Sequence, residues 1–289
     1  MCAVALWCSA QAQRPALEFN GEGKFKIAQF TDVHLDLGNP YRQAQAEKTI
    51  AQMRYILDAE RPDLVVFTGD VVTGAPAEDM WRRLLDTMTA RRVPFCVVLG
   101  NHDSEQDLSR QQIGRIVTSY SGSLNTLDAA GELADRELEI LGSGSRRPVW
   151  LLYCLDSHSE SLLEGIDGYD WFRPEQVAWL RDRCTARRTA NGGRAVPSLA
   201  FFHIVLPEYL AAWRNPSNTH IGRAAEDECP GALNTGMFAA MIETGSVAGT
   251  FVGHDHDIDY LVAEKGVCLG YGRFSGDNTT YNNLRPGVR

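Results

Sequence analysis

The chain has no apolar run approaching the roughly 18–20 residues that a bilayer span requires, which leaves no candidate transmembrane helix. Positive charge is scarce: 28 Lys and Arg stand against 37 Asp and Glu, a net charge of −9. That balance argues against a protein that grips duplex nucleic acid through many phosphate contacts. A small anionic substrate stays open, because bound cations can dominate a local field. The seven cysteines form no CxxC pair. Neither a disulfide framework nor a thiolate zinc site is therefore expected. Cys96 and Cys154 lie inside apolar strands and read as small core residues. Internal repeats, low-complexity segments and a clear interdomain linker are all absent, so residues 13–289 read as a single domain.

Basic residues are also missing from the start of the chain. Ala3-Val4-Ala5-Leu6-Trp7 is a short apolar core, and Ala10-Gln11-Ala12 fits a small-x-small cleavage site. Residues 1–12 thus read as a shortened secretory signal, and the protein as exported to the periplasm or outside the cell.

What the chain does have is a repeated pattern of buried strands that stop in polar residues. Residues 93–99 are apolar and rich in valine, then Gly100-Asn101-His102-Asp103 follows. Residues 64–68 run into Gly69-Asp70, and residues 24–30 into Thr31-Asp32-Val33-His34. Residues 198–202 end at His203, and residues 247–252 at Gly253-His254-Asp255-His256. Amphipathic helices are expected at 43–60, 77–90 and 174–187, with further helical stretches in 109–123 and 231–244. Residues 16–19 and 24–30 read as a hairpin around Asn20-Gly21-Glu22-Gly23. Strand pairs are expected at 136–141 with 148–155, and at 259–263 with 266–269. The alternation of strand and helix implies a partly parallel α/β sheet, whose carboxyl edge is where such folds bind ligands.

Five strand ends therefore carry carboxylate, imidazole or amide groups, and five of the seven histidines are among them. Carboxylate, imidazole and amide oxygen suit Fe, Zn, Mn or Mg and disfavour Cu(I). Asp32, His34, Asp70, Asn101, His203, His254 and His256 are too many ligands for one catalytic ion, which must keep a position open. They suit two ions that share one carboxylate, an arrangement that clamps a phosphate and activates a water. Glycines 69, 100 and 253 are expected to let the backbone turn at these ends. His220 lies in a polar stretch and has no expected role.

In order, Asp32-x-His34, Gly69-Asp70, Gly100-Asn101-His102-Asp103, His203 and Gly253-His254-x-His256 resemble the full motif set of the calcineurin-like metallophosphoesterases. The resemblance runs from about Lys24 to Gly276. It implies a four-layer α/β sandwich of two mixed β-sheets flanked by α-helices. It also implies that Asp32, His34 and His256 hold one metal, that Asn101, His203 and His254 hold the other, and that Asp70 bridges them. His102 would be the acid near the leaving group, oriented by Asp103. The stretches Cys229-Pro230-Gly231, Asn234-Thr235-Gly236 and Leu269-Gly270-Tyr271-Gly272-Arg273 are similar to a purple-acid-phosphatase-like branch. True purple enzymes have a tyrosinate three residues after the Gly-Asp aspartate. Thr73 stands there, so no tyrosinate-to-iron colour is expected.

These residues imply phosphoester hydrolysis in which a metal-bridging hydroxide attacks phosphorus and His102 protonates the leaving oxygen. A small phosphomonoester is the expected substrate. A phosphodiester of a nucleotide or lipid headgroup is the alternative, and a pseudo-enzyme that binds metal or phosphate without turnover is the third reading. His158, Asn234 and Tyr271 are candidate substrate-side residues. The sequence stops at Pro286-Gly287-Val288-Arg289, where relatives open one further strand, so the last strand is expected to be missing.

Overall fold

Leu64–Thr68 (β3) is buried at every position, as a strand covered on both faces must be. In the computed structural model, which describes residues 16–277 and 284–289, β3 lies between two parallel neighbours. These are Ile27–Phe30 (β2) and Phe95–Val98 (β4). The connections are helices Pro40–Glu60 (α1) and Ala77–Arg91 (α2), the crossovers that parallel strands require. The expected helices therefore form; α1 begins three residues early because Asn39 accepts the Arg42 N–H and caps it. Gln29 and Arg289 exchange both backbone hydrogen bonds, at 2.8 and 3.2 Å. That is the antiparallel pattern, so the small sheet is mixed at its outer edge.

The remaining strands form one mixed eight-stranded sheet. They are Leu17–Glu18 (β1), Arg136–Leu141 (β5), Pro148–Cys154 (β6), Ser198–Phe201 (β7), His220–Ala224 (β8), Val247–Val252 (β9), Ile258–Glu264 (β10) and Val267–Tyr271 (β11). Their order is β1-β5-β6-β7-β9-β11-β10-β8. The central strands β6, β7, β9 and β11 run parallel. Further helices are Arg110–Thr118 (α3), Pro174–Ala190 (α4), Pro207–Arg214 (α5) and Met237–Thr244 (α6).

Alternation along the strands sorts the core into three layers of contact. Val65 and Phe67 turn outward onto α1 and α2, with Ile50, Met53, Trp81 and Leu84. Leu64, Val66, Cys96 and Val98 turn inward onto Leu138, Leu152, Cys154 and Phe201 of the large sheet. On that sheet's other face Leu151, Tyr153 and Ala200 meet Val177 and Leu180 of α4 and Met237 and Met241 of α6. The result is helix, sheet, sheet, helix: the expected α/β sandwich. Cys96 and Cys154 sit in the inter-sheet core, as their neighbours in sequence imply.

Two expectations change. The turn at Asn20 forms, with Asn20 N–H donating to Lys24 and Gly23 N–H to Asn20, but its arms do not pair. β1 joins β5 in the large sheet while β2 enters the small one. The polar stretch at His220 is not loop but opens edge strand β8 (220–224), whose mixed composition and exposed Ile221 hide any alternation. No helix among the described residues is long and apolar enough to cross a membrane. The expected signal at 1–12 lies outside the described residues.

Candidate metal centre

Both sheets deliver their parallel strands to the same place. Beyond β2, Asp32 and His34 have φ of 49° and 46°; beyond β3, Asp70 has 51°; beyond β9, His254 has 84°. Left-handed backbone at non-glycine residues is strained and persists where surrounding contacts hold it, commonly at functional sites. The sharp turning thus falls on the polar residues themselves. Of the three glycines expected to turn, only Gly69 has a positive φ. Gly253 instead permits close approach: a Cβ there would lie 1.8 Å from Thr31 Oγ1.

A buried hydrogen-bond frame fixes the turns. His254 N–H donates to both Asp32 carboxylate oxygens at 3.1 Å, and Thr31 Oγ1 donates to Asp32 Oδ2 at 2.8 Å. His34 N–H donates to the Asp70 carbonyl. Asp103 accepts four backbone N–H groups, from Asp70, Val71, Val72 and Gly100, at 2.8–3.0 Å. Burial and the neighbouring Asp70 carboxylate push the Asp103 carboxyl up to about 6, against the N–H donors of Gly100, Val71 and Val72. Ser157 Oγ accepts the N–H groups of His203 and Ile204. Asp103→Ala would leave four buried donors without an acceptor. It is expected to cost at least about 3 kcal/mol, since each orphaned donor costs about 1–3 kcal/mol. Denaturant unfolding of the mutant at constant pH measures this; unchanged stability would show that water replaces the carboxylate.

Two groups of potential ligands result, Asp32 with His34 and His256, and Asp70 with His203 and His254. Within each, the ligand atoms lie within 4.8 Å of one another. Asp70 Oδ2 stands between them, 3.2 Å from His203 Nε2 and 3.5 Å from His34 Nε2. Asn101 Oδ1 is 3.1 Å from His203 Nε2 and so joins the second group. Burial alone would raise the Asp70 carboxyl, but His203 and His34 hold it well below the usual carboxylate range. Burial opposes the charge on His203, yet Asp70 and Asp32 raise it to about 10. Burial and the His203 charge push His254 down to about 3, which keeps that imidazole neutral. The buried Nε2 atoms of His34 and His254 have no hydrogen-bond partner. Unpartnered buried nitrogens beside two carboxylates are what ligands of a cation leave behind. The nitrogen and oxygen donor set fits two divalent or trivalent ions.

The other expected residues divide. His102 stands outside both ligand groups, 40% exposed, with its ring 5.9 Å from the His34 ring. Its Nδ1 pairs with Glu105 at 2.7 Å. The expectation that Asp103 orients it is corrected: that carboxylate is consumed by backbone donors on the buried side of the turn. Tyr271 is fully buried and its hydroxyl donates to Asp255, so no substrate can touch it. It acts behind the site, on the residue between His254 and His256. His158 Nε2 meets Gln176, and Asn234 meets Glu208 and the N–H of Gly236. The structure gives both of them partners away from the ligand groups.

Tyr169 was not anticipated. Its ring lies edge-on to His254 with centroids 4.2 Å apart. It sits in the irregular segment between β6 and α4, where no periodicity marks a contact made by tertiary packing.

Two sheets whose strand ends converge on paired candidate metal-ligand groups define the scaffold of a metal-dependent hydrolase. The calcineurin-like phosphoesterase family model matches residues 25–257, and the chain belongs to that family. It is 33% identical to "probable inactive purple acid phosphatase 29" of Arabidopsis thaliana, over 91% of this chain and 75% of that protein. It is also 33% identical to "phosphatase DCR2" of Saccharomyces cerevisiae, over 88% of this chain but 47% of the yeast protein. The fold is similar to that of a dimetal phosphatase from Danio rerio, with a TM-score of 0.59 and 16% identity, covering 87% and 88% of the two chains.

Proposed function

We propose that this chain is a metal-dependent phosphomonoesterase acting on small phosphorylated substrates, and that it is exported by the signal at 1–12 and works as one domain from residue 13. The observation that carries the reading is Asp70 Oδ2, placed between imidazole nitrogens of both ligand groups. Asp32, His34 and His256 would hold one ion; Asn101, His203 and His254 would hold the other; Asp70 would serve both. Such ions supply Lewis acidity toward phosphoryl oxygens and an activated water.

The chain's own groups do the rest. In the imidazolium form of His102, Nδ1–H donates to Glu105 and Nε2–H is free to pass its proton to the departing oxygen, leaving the neutral imidazole. Asp103 keeps the Asp70 and Gly100 turns fixed, so the carboxylate bridge and the acid stay in register. No serine or cysteine nucleophile is required.

The relatives' names include both "phosphatase" and "probable inactive". The intact ligand set and His102 favour turnover here. Elemental analysis of protein made without added metal, followed by a panel of phosphomonoesters and phosphodiesters, tests this. About two ions per chain with chelator-sensitive monoester turnover is expected. Two bound ions without turnover of any ester would overturn the enzyme reading, and diester turnover alone would overturn the monoester assignment.

A further inference from the structure

The ends of the strands opposite the metal centre share a sequence feature. β3 is preceded by Arg61-Pro62, β4 by Arg91-Arg92-Val93-Pro94, β6 by Arg146-Arg147 and β7 by Arg194-Ala195-Val196-Pro197. Because these strands run parallel within each sheet and all lead toward the ligands, their starts lie together at the far pole. Two clefts open there. One, of about 710 Å³, is lined by Arg61, Arg91 and Arg92 together with Asp58 and Asp63. The other, of about 390 Å³, is lined by Arg147, Arg187 and Arg194.

Arg91 is satisfied by Asp58, and Arg187 by Glu137 and Glu139. The side chains of Arg61, Arg92, Arg146, Arg147 and Arg194 are exposed, and none makes a hydrogen bond or ion pair among the described residues. Asp58 and Asp63 offset part of the first cleft's charge, Asp58 facing Arg61 as well as Arg91. Five exposed guanidiniums without a direct ion pair, gathered at one pole of a chain with a net charge of −9, are still a polarised surface. A guanidinium presents a planar fork that matches phosphate oxygens.

We propose that this pole docks on an anionic phospholipid surface and holds the metal centre toward solution. A single small anion could occupy one cleft. Arginines spread over the starts of four strands in two sheets match a planar array of phosphates instead. The chain's overall negative charge does not forbid this. Strands of four to seven residues span about 13–23 Å, beyond the roughly 8 Å screening length of physiological salt, so the lipid meets chiefly the near pole.

The test is cosedimentation of the metal-loaded full chain with vesicles of phosphatidylcholine, alone or with one-third phosphatidylglycerol. Binding to the anionic vesicles only, weakening as salt rises, is expected. Each arginine near such a surface contributes about fivefold, so Arg61→Ser with Arg92→Ser, or Arg147→Ser with Arg194→Ser, should weaken partition about 25-fold. Both pairs should keep normal turnover of a soluble aryl phosphate, which also reports folding. The matching Arg→Lys pairs should retain most of the binding. Equal pelleting with neutral and anionic vesicles, or unchanged pelleting of the serine variants, would overturn the proposal. So would tighter binding to tripolyphosphate or to polyglutamate, which would mark a site for a soluble anion or an acidic protein.

Discussion

Asp70→Asn is expected to lower turnover more than about 100-fold, since even residues that merely support a metal ligand cost 10–100-fold when changed. The substitution is nearly isosteric, which makes its chemistry legible. Asp70 Oδ1 already accepts the His102 N–H at 2.9 Å, and an asparagine would keep its one oxygen there. Its NH₂ would then face the nitrogens of His203 and His34, where Oδ2 stood. A neutral donor replaces an anionic acceptor at the point common to both groups. Elemental analysis should find fewer than two ions per chain, with an unchanged circular dichroism spectrum. Two ions per chain and a near-normal rate would remove the bridging assignment.

His102→Ala separates proton transfer from metal binding. Because the ring stands outside both ligand groups, the mutant should keep its full metal content. Its kcat should fall by about 10²–10⁴-fold on an alkyl phosphate, whose alkoxide needs a proton to leave. A nitrophenyl phosphate, whose leaving group departs as the anion, should suffer much less. Both substrates are measured on one preparation at one pH, so metal loss would depress the two rates alike. Glu105→Gln supplies the control for orientation: it should lower the alkyl phosphate rate modestly and leave the aryl rate intact. Equal losses on both substrates in His102→Ala, or loss of an ion, would make His102 a ligand or a structural group.

The strand ends were legible because burial and polarity change abruptly there, and both properties belong to single residues. Asp32, His34, Asp70, Asn101, His203, His254 and His256 come together because parallel strands share a carboxyl edge. The supporting residues were not legible for the same reason. Asp103 and Glu105 flank the same turn, and only the backbone path decides which of them reaches the imidazole. Tyr271 closes a glycine-rich strand, and nothing in the alternation says that its hydroxyl points inward to Asp255. Tyr169 meets His254 through packing between segments far apart in sequence. Edge strand β8 carries too few apolar residues for a periodic signal, and its pairing with β10 comes from the sheet.

Each ligand group draws on both halves of the sandwich. Asp32 and His34 extend from the small sheet and His256 from the large one; Asp70 and Asn101 extend from the small sheet, His203 and His254 from the large. An ion in either position would therefore act as a rivet through the seam. Sliding one sheet over the other by a fraction of an ångström would spoil both coordination sets at once, long before the apolar seam beneath came apart. Metal affinity would thus gauge how the two halves of the sandwich are registered. A substitution buried between Val66 and Leu152, far from any ligand, should be felt first as a loosened ion.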